Sequence, residues 1–193
     1  LTSMNVNLRP EKYLKYLYLP NLFGTDRTKE ILHVNPTLVP ERIEPEVSRI
    51  FVYDYNADLI EEKQLTSVSE SFSYKGNKRI TWINIDGLRK VDTEAICSFY
   101  NIHPLIEEDI LSIGQRPKMD EVDGVMYCLL NMLYYNNQKK IVEIEQISLV
   151  LGTDFVISFQ EDASRDVFDP LRNKLKMARS QIRQRSADYL LYT

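Results

Sequence analysis

Three consecutive carboxylates, Glu107, Glu108 and Asp109, stand inside the run HPLIEEDILSIGQRPK at residues 103 to 118. They supply hard oxygen donors, the ligand type that Mg²⁺ and Ca²⁺ require. On a regular helix adjacent side chains diverge by about 100°, so the three cannot converge on one ion. A Mg²⁺ ion that keeps most of its waters needs only one or two carboxylates, with another acidic surface completing the set. Without such a surface the same residues are a solvated acidic stripe, favoured by the positive end of the helix dipole.

Other groups offer less. His103 could ligate a transition metal, but one imidazole among carboxylates, with no thiol or second histidine nearby, is a poor set; capping or packing before Pro104 is the expected role, and His33 has no better claim. Arg116 and Lys118 are expected to pair with Asp109, Asp120 or another local acid. The basic series Arg172, Lys174, Lys176, Arg179, Arg183 and Arg185 lacks interleaved aromatics on which bases could stack, so a solvated helix is expected there. Cys97 and Cys128 match no zinc spacing and read as small hydrophobes. No P-loop, G-x-G-x-x-G, G-x-S-x-G, H-E-x-x-H or C-x-x-C pattern occurs, so catalysis is not expected.

The acidic groups need a bounded helix to hold them. Pro104 suits a first turn, where its missing N–H costs nothing. Helical spacing puts Ile102, Ile106, Ile110 and Ile113 on one face, with Glu108 pointing away and Asp109 at the edge of the apolar stripe. Gly114 is expected to close the helix, and Pro117 to forbid its continuation. Val91, Ala95, Ile96, Phe99 and Tyr100 repeat at helical spacing just before it, which suggests two successive helices on one face of a sheet.

The remaining pattern supplies that sheet. VSRIFVYDY at 47 to 55, KRITWINID at 78 to 86, VMYCLLNMLYY at 125 to 135, VEIEQISLVLG and TDFVISFQE are rich in β-branched and aromatic residues and read as strands; the run at 125 to 135 looks central. DLIEEKQL at 58 to 65 fits either a helix or a strand. TSVSESFSY at 66 to 74 opens with Thr66 or Ser67 as cap, with Glu70 placed for a capping box. In DVFDPLRNKLKMARSQIRQR, acids precede bases as a helix dipole prefers; Asp169 is its expected cap, Pro170 opens it, Val167 and Phe168 form a staple, and Leu171, Leu175 and Ala178 are the packed stripe. SADYLLYT starts a further helix in which the sequence stops, so a piece of a longer protein is expected. The fold class is therefore α/β or α+β: one domain, a mixed parallel and antiparallel sheet with helices on both sides. Five prolines in residues 1 to 46 favour loops and short strands there.

Composition agrees with a soluble globular chain: 44% hydrophobic and 27% charged residues leave enough apolar surface for a core. Twelve tyrosines against seven phenylalanines and one tryptophan suggest many half-buried or interface rings. No apolar stretch is long enough to cross a bilayer, and none has the form of a signal peptide. A net charge of −4 disfavours general nucleic-acid binding.

HPL, EDIL and QRPK, preceded by TWINIDG and followed by EQISLVLG, FVISFQE, FDPLR and ADYLLY, occur in the order in which they recur in one family. Over roughly residues 47 to 193 the chain resembles the cytoplasmic domain of the CorA-type magnesium transporters. The resemblance implies a variable leader over 1–46, an α/β cytoplasmic domain over 47–186 and the start of a stalk helix over 187–193. It implies a regulatory domain at the cytoplasmic face of the membrane, in a homopentameric Mg²⁺ channel. Membrane attachment and permeation would rest on C-terminal helices and a Gly-Met-Asn motif absent from these residues. The Glu-Asp pair matching Glu108 and Asp109 would lie where subunits meet and hold regulatory divalent cations, with acidic partners partly from the helix that begins at ADYLLY. Asp109, facing the packed edge, ranks first as ligand and Glu108 second; Glu107 is a bystander. A zinc or broad divalent-cation transporter of the same superfamily, or a freestanding binding or scaffold domain, is the alternative.

Overall fold

β-Branched and aromatic residues crowd RIFVYDY and ITWINID, and both segments become strands whose side chains alternate between two buried faces. In the computed structural model, which describes residues 44–162 and 164–193, these are β1 (Arg49–Tyr55) and β3 (Ile80–Asp86). They pair antiparallel with Val52 opposite Ile83 and Tyr53 opposite Trp82. The ambiguous segment at 58 to 65 is strand: β2 (Ile60–Leu65) lies along the outer side of β1, with Glu61 to Gln64 exposed. The leader expected over 1–46 falls outside the described residues except for its last three.

The sheet has seven strands in the order β2-β1-β3-β7-β6-β5-β4. The later strands are β4 (Lys118–Val122), β5 (Val125–Asn136), β6 (Ile141–Leu151) and β7 (Phe155–Gln160). β3 and β7 run parallel, with Ile83 beside Ile157, and every other pairing is antiparallel. One face carries a 3-10 helix (Val68–Tyr74), α1 (Lys90–Tyr100) and α2 (Pro104–Leu111) over Val52, Ile83, Ile85, Ile157 and Phe159. The other carries α3 (Asp169–Lys176), the single turn α4 (Gln181–Gln184) and α5 (Ala187–Tyr192) over Tyr53, Trp82 and Val156. A mixed α/β sheet with helices on both sides is thus the architecture of the described residues.

Several local expectations change. KMDEV, to which the sequence pattern assigns no element, is the edge strand β4; its charged side chains suit an edge open to water. β5 is next to that edge and not central, and Leu133 and Tyr135 in its outer half are exposed. The central strand is β7, all six of whose residues are buried. Glu70 closes back on the Thr66 N–H at 3.1 Å and on the Thr66 hydroxyl, whereas Ser67, the N-cap, makes no side-chain cap bond. The long basic helix is broken after Lys176, and the chain resumes helix only at Gln181. Asp169 is the first residue of α3 and not its cap; the Asp166 carboxylate accepts the Phe168 N–H at 2.9 Å instead. Ala178, past the break, is exposed, while Leu175 is fully buried.

Candidate functional site

His103 begins the acidic helix as a cap. Its Nδ1 accepts the Leu105 N–H at 3.2 Å, and Pro104 follows as the first helical residue. That bond uses one of the two ring nitrogens for capping. Ile106 and Ile110 anchor the helix, with 2% and 0% of their surfaces exposed, and burial of such side chains stabilises by roughly 1.5–3 kcal/mol each. The helix stops at Leu111, earlier than Gly114 suggested: the backbone N–H and the hydroxyl of Ser112 both donate to the Glu108 carbonyl, at 2.9 and 2.8 Å. Ile113 therefore lies past the helix and off its stripe. Gly114 follows with φ at +72°, a left-handed conformation that turns the chain toward β4.

This frame sorts the three acids by exposure. Glu108 is exposed, Glu107 is intermediate, and the side chain of Asp109 is 22% exposed at the edge of the packed face. Both Asp109 oxygens are engaged. Gln115 Nε2 donates to Oδ1 at 3.1 Å, and Lys118 Nζ donates to Oδ2 at 2.5 Å. Lys118 reaches across because it is the first residue of β4, paired with Leu129 of β5 beneath the helix. Its ammonium also lies 3.9 Å from the Asp120 carboxylate and 6.0 Å from the centre of the Tyr127 ring. The expected pairing of Lys118 with Asp109 and Asp120 is present. Burial first, and then the nearby Asp109 charge among smaller effects, pushes the Tyr127 phenol up to about 12, so this ring stays neutral.

The arrangement keeps one negative charge half-buried beside a single lysine, with a second carboxylate exposed next to it. No group of three His, Cys, Asp or Glu residues able to enclose a metal occurs among the described residues. Two adjacent carboxylates suit a Mg²⁺ ion that retains waters. For Asp109 to contribute, Lys118 must yield part of its bond.

A second polar cluster lies on the opposite face of the sheet and was not singled out from the sequence. Asp86, 2% exposed, ends β3 and accepts from Asn84 Nδ2 at 2.8 Å; Asn84 in turn accepts from Ser158, which accepts from the Trp82 indole. Burial, reinforced by the Asp166 charge, raises the Asp86 carboxyl to about 6 against the Asn84 hydrogen bond and the weaker pull of Arg172 and Arg49. Arg172, expected among solvated bases, is buried instead: it pairs with Asp166 at 2.5 Å and Asp169 at 2.9 Å, and lies 5.8 Å from both the Tyr53 and Trp82 rings. Arg183 is also buried and donates to the Asn56 carbonyl at 3.1 Å. Lys174, Lys176, Arg179 and Arg185 are exposed. An acid inside an otherwise apolar strand run was the signal that could have marked Asp86.

Residues 77–193 match the family model described as CorA-like Mg2+ transporter protein. The cobalt/magnesium transport protein CorA of Thermotoga maritima is 37% identical over 145 residues, which are 75% of this chain and 41% of that protein. This chain thus spans less than half of that relative's length. Among solved structures, the full-length CmaX protein aligns with a TM-score of 0.55 at 13% identity, covering 77% of this chain and 44% of that one. The soluble domain of CorA from Methanocaldococcus jannaschii aligns at 0.52 and 13% identity, covering 78% and 54%. At such identities the two structures speak for the fold alone.

Proposed function

The chain belongs to the CorA-like Mg2+ transporter family, and from that premise we propose that it is the cytosolic, divalent-cation-sensing part of a homopentameric Mg²⁺ channel. The observation that carries the reading is Asp109, a carboxylate held half-buried on a short helix and balanced by one lysine at 2.5 Å. Glu108 stands exposed beside it as the second ligand, and the bound ion is a Mg²⁺ that keeps part of its hydration. No described helix is long and apolar enough to cross a membrane, so permeation is assigned to other segments of the transporter. α5, which buries Ala187 and Leu190 against the sheet, is read as the start of the stalk.

The regulatory argument follows from charge. Where identical subunits bring acidic helices toward one another, the carboxylates repel unless a cation lies between them. Bound Mg²⁺ then favours the compact, closed assembly by mass action, and its loss releases that restraint. Lys118 lowers the cost of the empty state by holding Asp109 neutralised, which sets the Mg²⁺ concentration needed to displace it. The name of the Thermotoga maritima relative includes cobalt beside magnesium, so Co²⁺ is the second ion to test.

The test is ion flux through the transporter that carries this domain, with Mg²⁺, Co²⁺ and Zn²⁺ compared in the same vesicles. Asp109→Asn is expected to leave flux open at internal Mg²⁺ concentrations that close the unmodified protein. Equal closure of both would remove Asp109 from the mechanism.

A further inference from the structure

The hairpin of β5 and β6 outruns the rest of the sheet. β4 pairs with β5 no farther than Leu129, and β7 pairs with β6 only from Ile147 onward. Residues 131–136 and 141–146 therefore pair only with each other among the described strands. The outer half of the hairpin stands clear as a two-stranded arm.

Its two faces differ. On the α3 side the arm is braced: the Tyr134 hydroxyl donates to the Arg165 carbonyl at 2.8 Å, the Arg165 guanidinium pairs with Glu143, and Asn136 Nδ2 donates to Glu143 at 2.9 Å. These bonds tie the arm to the chain that follows β7. On the α2 side, the alternation that buries Tyr127, Leu129 and Val150 carries on along the arm. It sets Leu133 opposite Ile144 and Tyr135 opposite Val142. These four are 66%, 64%, 60% and 59% exposed, and no charged side chain interrupts them. An apolar stripe held out to water on a braced arm is a surface that lacks its partner.

Area and position select that partner. Four side chains exposed to this degree offer roughly 400 Å², about half of the roughly 800 Å² that each side contributes to a stable interface. The stripe is too small to hold a free partner alone, and it suits one part of a wider boundary. It faces the same way as α2, the helix that carries Asp109 and Glu108. A ring joins unlike faces of identical subunits, and the opposite face also shows apolar side chains, Leu130 at 42% and Met177 at 60% exposed. We propose that Leu133, Tyr135, Val142 and Ile144 pack against the α3–α5 side of a neighbouring copy, as the apolar part of the boundary whose acidic part is Asp109 and Glu108. This contact rests on the ring assembly read above and adds to it a surface whose attraction needs no ion.

Photo-crosslinking in the transporter that carries this domain tests the contact, with Tyr135 replaced by benzoylphenylalanine and the linked peptides mapped by mass spectrometry. Irradiation is expected to join two copies, linking position 135 of one to a peptide within residues 165–192 of the other. Leu133→Ser combined with Ile144→Ser, both at exposed positions, is expected to leave the fold unchanged and to raise the Mg²⁺ concentration that closes the transporter roughly tenfold. An oligomer in which position 135 links no two copies, or links only to the neighbour's own hairpin, would overturn the contact and leave the cation-sensing reading standing. Closure at an unchanged Mg²⁺ concentration in the double variant would also overturn it. A transporter that sediments as a monomer would overturn the contact and the ring reading together.

Discussion

The ammonium of Lys118 lies 2.5 Å from Asp109 Oδ2, so the first residue of an edge strand neutralises the innermost acid of the helix above it. The pair joins two segments that are close in sequence but belong to different layers. Any divalent ion that recruits Asp109 competes with this amine.

Replacing Lys118 with Met removes that competitor while keeping the length of the stem. Mg²⁺ affinity measured by calorimetry should rise, by roughly tenfold if the ammonium occupies the position the ion needs. Stability should fall by no more than about 1 kcal/mol, since both partners are partly solvated. Unchanged affinity would mean that the ion does not use Oδ2.

Ile110 and Glu108 are two residues apart on α2 and should separate structure from function. Ile110→Ala should cost about 2–5 kcal/mol in urea unfolding, because a fully buried side chain leaves a cavity against the sheet. Glu108→Gln, at an exposed position, should shift stability by less than about 0.5 kcal/mol and yet reduce the response to Mg²⁺. A large loss of stability in Glu108→Gln would recast the carboxylate as a structural group.

Asp86 sets a pH dependence of opposite sign to that of an ordinary salt-bridged acid. Its carboxyl is raised to about 6 in the folded chain, so between about pH 4 and 6 the folded state binds more protons than the unfolded one, and stability falls as pH rises through that window. Asp86→Asn keeps an acceptor for Asn84 and removes the buried charge. It should stabilise the chain by about 2 kcal/mol at pH 7.5 and make little difference at pH 4. Thermal melts across that range test it; a variant less stable than the parent at pH 7.5 would contradict the assignment.

Arg172 ties α3 to Asp166 in the segment before it and to Asp169 in its own first turn, and it meets the sheet at the Tyr53 and Trp82 rings. Arg172→Leu leaves Asp166 near Asp86 without its cation, and loss of one partner of a buried pair costs about 3–5 kcal/mol. The guanidinium carbon is 5.8 Å from the ring of Trp82, the chain's one tryptophan. Its fluorescence should therefore report the change directly; an unaltered emission spectrum together with parental stability would exclude the anchoring role.

The sequence was legible where residue type alone decides the outcome. Runs such as ITWINID and FVISFQ are too rich in β-branched and aromatic side chains to be anything but buried strand, and the spacing of Ile102, Ile106 and Ile110 fixed which way Asp109 and Glu108 point. It was less legible where neighbours decide. KMDEV carries no apolar alternation, and it is strand because β5 offers it a pairing edge. The basic run after Pro170 looked like one solvated helix because nothing local shows that Arg172 would fold under Asp166 and against Trp82. Asp86 sits at an ordinary strand position, and its burial follows from what packs across the sheet. Lys118 was recognisable as a partner for some local acid, and the register with Leu129 is what delivers it to Asp109.

The most direct test of the central claim is sedimentation of the proposed assembly, using the transporter that carries this domain, with and without millimolar Mg²⁺. The account predicts that Mg²⁺ shifts the unmodified protein toward the compact pentamer and that Asp109→Asn with Glu108→Gln abolishes the shift while leaving each subunit folded. Identical sedimentation with and without Mg²⁺, or a shift that survives both substitutions, would contradict it.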